Sequence, residues 1–74
     1  MSELEILMQG LQDVAKQFGA KEISILVAEE KVKSIRIYFY EDTPLKERKL
    51  IAGEVKHYLE SRDIEVGKIE EGEE

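Results

Sequence analysis

Apolar residues recur along this chain with two different periods, and the order in which those periods alternate predicts its architecture. Leu4, Leu7, Met8, Leu11, Val14, Ala15 and Phe18 follow the i, i+3, i+4, i+7 spacing of a helix with one buried face. Ser2-Glu3-Leu4-Glu5 precedes the stripe as a capping box, in which the Ser2 hydroxyl accepts from the Glu5 amide and the Glu5 carboxylate reaches back to the Ser2 amide. Gly19 follows it as a left-handed terminator, so the predicted helix runs to about residue 18. Gly10 inside the helix costs about 1 kcal/mol relative to alanine and points to a close neighbour or to simple tolerance. Ile6 lies off the stripe.

Residues 22–29 and 32–40 change to a period of two and to β-branched and aromatic side chains, the pattern of two strands. They form an antiparallel hairpin around Glu30-Lys31, and because the turn lacks Asn-Gly a loop longer than two residues is expected. Ile23, Ile25 and Val27 share one face with Ile35, Ile37 and Phe39. Ser24, Leu26, Ala28, Ser34, Arg36, Tyr38 and Tyr40 share the other. Thr43-Pro44 opens a second helix, with Thr43 as N-cap and Pro44 at the first helical position. Its stripe is Leu45, Ile51, Ala52, Val55, Tyr58 and Leu59, with Leu50 off it, and Ser61-Arg62-Asp63 ends it. Residues 63–69 give a third strand through Ile64 and Val66, and Gly67 marks a bulge or weakened pairing because Ile69 falls out of phase.

The order α-β-β-α-β predicts an α/β fold of the α+β kind: a two-layer sandwich with a three-stranded mixed sheet and two helices on one face. A right-handed crossover makes the third strand parallel to the second. Strand order 1-2-3 is expected, with 2-1-3 as the alternative. Either order leaves one side of the sheet without a helix.

Length adds a constraint. The 74 residues suit a single domain over residues 1–69 followed by an acidic, disordered tail at 70–74. A domain of this size buries only about 60% of the surface its unfolded chain exposes. With no cysteine, neither a disulfide nor a thiolate metal site supplements the core, and self-association is the expected remaining source of stability. A charged content of 38%, rich in Glu and Lys, together with the absence of Asn, fits a thermophilic source in which surface ion pairs contribute.

The net charge of −6 disfavours proteins that coat nucleic acid or anionic membrane, because both modes rest on clustered Lys and Arg. No apolar run reaches the roughly 20 residues that span a bilayer, and no basic-then-apolar leader precedes the first helix. The expectation is a cytoplasmic protein without membrane insertion.

Leu26, Arg36, Tyr38 and Tyr40 on the uncovered sheet face are the candidate interface, since Tyr and Arg are frequent interface anchors. A plain solvated face is the competing reading, and a base-stacking platform would need a basic rim that Arg36 alone does not supply. Lys46-Glu47-Arg48-Lys49 places three cations in the first turns of the second helix, against its macrodipole. They could hold an anion with the free N–H groups there, although a solvated face balanced by Glu41, Asp42 and Glu47 is favoured. Glu54, His57 and Glu60 form Glu-x-x-His-x-x-Glu, a partial metal-ligand set that a second copy or segment would have to complete. A solvated trio is the favoured reading. His57 has no Ser or Cys partner, so no catalytic residue is assigned, no cofactor is expected, and the domain is read as non-enzymatic.

The strand Ile35-Arg36-Ile37-Tyr38-Phe39-Tyr40-Glu41-Asp42, the step Thr43-Pro44-Leu45 and the helix Ile51-Ala52-Gly53-Glu54-Val55 with Leu59 resemble the C-terminal cytoplasmic domain of cation diffusion facilitator transporters. The likeness spans about two thirds of the chain. It implies a ferredoxin-like α-β-β-α-β framework and homodimerisation of a regulatory domain. Metal binding is not carried over, because Arg36 and Tyr38 stand where family members often place a histidine ligand. A KH-like nucleic-acid-binding domain shares part of this order but needs a Gly-x-x-Gly clamp that is missing here. The sequence therefore points to a small dimerisation or protein-interaction domain, with a metal- or anion-responsive module as the alternative.

Overall fold

The computed structural model describes residues 2–72 and consists of α1 (Glu3–Gln17), β1 (Glu22–Ala28), β2 (Lys31–Tyr38), α2 (Leu45–Glu60) and β3 (Val66–Glu71). Strand order is β1-β2-β3, with β1 antiparallel and β3 parallel to β2, which is the expected two-layer α+β arrangement. Both helices supply the core on one side of the sheet: Leu11 and Ala15 from α1 and Ile51, Val55 and Leu59 from α2 enclose Ile23, Ile35 and Ile37.

Local signals account for the helix boundaries. The Ser2 hydroxyl accepts from the Glu5 amide at 3.2 Å, as the capping box requires. At the other end Gly19 adopts φ +102°, the Gly19 N–H donates to the Lys16 carbonyl at 3.1 Å, and the Ala20 N–H donates to the Ala15 carbonyl at 2.8 Å. This paired termination brings buried Ala20 against Ala15. Helix α2 ends in the same way, with Asp63 in the left-handed region at φ 56°, its N–H donating to the Glu60 carbonyl and that of Ile64 to the Leu59 carbonyl. Its start is one residue later than the sequence suggests. Pro44 is extended (ψ 150°) and is the N-cap, so Thr43 offers no side-chain cap. Gly10 lies directly beneath the Tyr58 hydroxyl, where a Cβ would overlap it, and the Arg62 guanidinium covers the Tyr58 ring at 3.7 Å. The interior glycine thus sets the spacing of α1 and α2.

The hairpin departs from expectation in an informative way. Its loop has only two residues, because Ala28 pairs with Lys31, and Glu29 and Glu30 take φ 54° and 63°. Two residues in the left-handed region form the turn whose twist suits adjacent strands, here without Asn or Gly. Two residues further on, Lys33 has no partner in β1, since Val27 pairs with Val32 and Leu26 with Ser34. This bulge reverses the phase of β2. Val32 before it and Ile35 and Ile37 after it all face the helices, although a strict period of two separates them.

Parallel pairing carries the phase change into β3, where Val66 lies beside Val32 and Ile69 beside Ile35. Both pack against the core, so Ile69 falls out of phase in sequence and in phase in space. Strand β3 also begins and ends later than residues 63–69. Glu70 and Glu71 belong to its ladder beside Arg36 and Ile37, which corrects their assignment to a disordered tail. Of that tail, residues 73 and 74 lie outside the described residues. Among the described residues, no helix is long and apolar enough to cross a membrane.

Candidate functional site

The side of the sheet opposite the helices carries Ser24, Leu26 and Ala28 from β1, Ser34, Arg36 and Tyr38 from β2, and Lys68 and Glu70 from β3. Register sets their neighbours: Leu26 lies beside Ser34, Ser24 beside Arg36, Ser34 beside Lys68 and Arg36 beside Glu70. Leu26 is 62% exposed on the edge strand β1. Ser34, at 7%, is the buried polar residue of this face and leaves a shallow floor between its larger neighbours.

Arg36 does not project freely into solvent. Its Nε donates to Glu70 Oε1 at 2.8 Å, and Lys68 Nζ lies 3.4 Å from Glu70 Oε2. The Arg36 hydrogen bond is the main reason the Glu70 carboxyl is held below its usual range, and the Arg36 guanidinium is correspondingly raised. Glu70 therefore contributes to stability above the ordinary carboxylate pKa, and that contribution is lost as pH falls through its lower, folded-state value. An NMR titration of the carboxyl carbons is expected to place Glu70 below the exposed glutamates, and Arg36→Gln to return it to their range. A normal Glu70 midpoint in the unsubstituted chain would show that the pair is not held in solution.

Tyr38 is half-buried. Its ring rests on the backbone of Gly72, whose N–H donates to the Ile37 carbonyl at 2.9 Å and so continues the β3 pairing one residue past the strand. A side chain at position 72 would occupy the space of that ring. Tyr40 is 53% exposed and lies two residues beyond β2, where its carbonyl accepts from the Thr43 N–H in the turn leading to α2. The strand ladder thus brings together Leu26, Arg36 and Tyr38, and leaves Tyr40 on the adjoining turn. Lys68, Glu70, Ser34 and Gly72 complete the face. Sequence reading missed Lys68 and Glu70 because the phase change that the β2 bulge carries into β3 hides their side, and acidic composition suggested a tail.

The other candidates are dispersed. Arg48, from the cationic segment of α2, donates from Nε to the Thr43 carbonyl at 2.8 Å, from one terminal nitrogen to Glu71 Oε1 at 2.5 Å and from the other to the Glu41 carbonyl at 3.4 Å. It also lies 5.5 Å over the Phe39 ring. This residue fastens the β2–α2 connection to the end of β3 and is not available to an anion, while Lys46 and Lys49 are exposed. Among the described residues, no three His, Asp or Glu side chains converge as a potential metal group, so Glu54, His57 and Glu60 share a helix arc without forming a site. Glu60 lies 3.9 Å from Lys56 instead. A further open groove, lined by Leu4, Leu7, Val27, Val32, Ile64 and Val66, runs between the start of α1, the hairpin and the α2–β3 loop. Comparison with protein-family models, with curated proteins and with solved structures finds no match.

Proposed function

We propose that this chain is a small, non-enzymatic dimerisation or protein-interaction domain that docks through the helix-free face of its sheet. The supporting observation is the composition and covering of that face: Leu26 is largely exposed, Tyr38 is half-buried beside Gly72, and Arg36 is held in place by Glu70. A guanidinium already ordered in the free protein loses less conformational freedom on binding, and Leu26 and Tyr38 lie on the same face to either side of it along the strands. The likeness of β2 and α2 to the soluble domain of cation diffusion facilitator transporters points to the same use, as a cytoplasmic domain that pairs or docks.

Tyr38→Ala combined with Tyr40→Ala is expected to weaken capture of a partner on this face by about 2 kcal/mol, the scale of an interface anchor, with helical circular dichroism unchanged. Because Tyr38 also supports Gly72, Leu26→Asp provides an independent probe on a side chain that carries little of the fold. Both variants binding and sedimenting like the unsubstituted chain would refute the proposal.

A further inference from the structure

Strand β1 is an edge of the sheet with none of the usual protections, and we infer that it pairs antiparallel with β1 of a second copy to make one continuous six-stranded sheet. The strand order leaves its outer side without a neighbouring strand, and among the described residues no backbone hydrogen bond joins β1 to any element other than β2. Edge strands normally avoid association through proline, lysine, a bulge or short length. Strand β1, Glu-Ile-Ser-Ile-Leu-Val-Ala, is seven residues long, has its only charge at its first residue and contains no proline, and the bulged residue of this hairpin, Lys33, belongs to β2. The opposite edge differs: β3 contains Lys68, Glu70, Glu71 and Gly67 within six residues.

Charge placement favours a second copy as the occupant and sets the register. A two-fold axis through Ile25, the midpoint of β1, overlaps the two strands completely, with Ile25 opposite Ile25, Ser24 opposite Leu26 and Ile23 opposite Val27. The helix-facing side chains of both copies then remain on one side. The same register sets Lys21, just before the strand, opposite Glu29, just after it, at both ends of the junction.

Helix α1 repeats the pattern. It packs on β1, and α2 flanks it on the Gly10 side, where Tyr58 lies. At 100° per residue its opposite flank, toward the free edge, carries Glu5, Gln12 and Lys16. Two antiparallel copies of that flank set Glu5 of the first turn beside Lys16 of the last. Such isologous pairing closes as a dimer. It uses the edge of β1 and leaves the helix-free face open and continuous across both copies, so it stands independently of docking through that face.

The chain contains no cysteine, so a single introduced one reports the junction directly. Residues directly opposed across an antiparallel pair have Cα atoms about 4.5–5.5 Å apart, within the reach of a disulfide. Ile25→Cys in the full chain is expected to cross-link to itself under oxidised glutathione much faster than Glu54→Cys on α2, and light scattering on the unsubstituted chain is expected to show a concentration-dependent dimer. Glu29→Lys is expected to raise the dimer dissociation constant about tenfold, and adding Lys21→Glu to restore it. Tyr38→Ala with Tyr40→Ala is expected to leave the dimer mass unchanged. A monomer at every concentration, cross-linking of Ile25→Cys no faster than that of Glu54→Cys, or a dimer lost in the double tyrosine variant would overturn the edge pairing.

Discussion

Ile35→Ala is expected to remove about 3–4 kcal/mol of folding stability, the largest loss for a single truncation in this chain. Ile35 is 0% exposed on the central strand, with Ile25 beside it in β1 and Ile69 in β3, and it belongs to the cluster that contains Leu11 and Val55 from the two helices. A shortened side chain there leaves a cavity bounded by five elements, and the rigid sheet cannot close over it. Domains of this length have roughly 4–11 kcal/mol in total, so the variant retains only part of its stability. Urea denaturation followed by circular dichroism is the measurement, with a lower midpoint and an unchanged slope expected. A loss below about 1 kcal/mol would mean that the two layers do not meet at Ile35.

That core was legible in the sequence through the middle of each unbroken period, whereas Leu4, Phe18 and Leu45, read as the ends of buried stripes, are exposed where the helices run past the sheet or begin. The i, i+4, i+8 spacing of Leu7, Leu11 and Ala15 and the alternation of Ile23, Ile35 and Ile37 place these residues correctly because helix and strand each impose one geometry on side-chain direction. The reading fails at the bulge. Val32 belongs to the core although it has the parity of Arg36 and Tyr38, and no local signal identifies Lys33 as the extra residue. The same displacement concealed Ile69 and, through it, the position of Glu70 and Glu71.

The candidate face shows the same division between local and tertiary information. Leu26, Arg36 and Tyr38 follow from strand alternation and the absence of a third helix. Their partners do not: Glu70 reaches Arg36 across thirty-four positions of chain, and Gly72 meets Tyr38 only through tertiary pairing. The cationic run at Lys46 to Lys49 resembles an anion site in one dimension, yet Arg48 bonds to Glu71, whose own position depends on β3 extending past Ile69. Composition misled at this point because clustered glutamates are equally compatible with a solvated tail and with the charged end of an edge strand.

Gly67→Ala is expected to cost about 2–3 kcal/mol and to lower the thermal midpoint by about 10–20 °C, through the backbone of the neighbouring strand. A Cβ at position 67 overlaps the carbonyl oxygen of Lys33, and its distance to the Lys33 carbonyl carbon is 3.4 Å. A flexible side chain could rotate away from such a contact, but a backbone carbonyl held at the β2 bulge cannot. The backbone at Gly67 is not in the left-handed region, so the penalty is one of space alone. Strand β3 must therefore withdraw from β2 beside Val32–Val66 and Ser34–Lys68, and the displacement extends to Arg36–Glu70 and to Gly72 beneath Tyr38. Hydrogen exchange is expected to lose protection along β3 while β1 keeps its protection through β2, and Glu70 is expected to titrate like an ordinary exposed glutamate. The helix-free face then loses its ordered arginine while Leu26 stays in place, so any partner that depends on Arg36 and Tyr38 binds more weakly. Full protection of β3 in this variant would show that the bulge yields to a methyl group and does not lock β3 in register with β2.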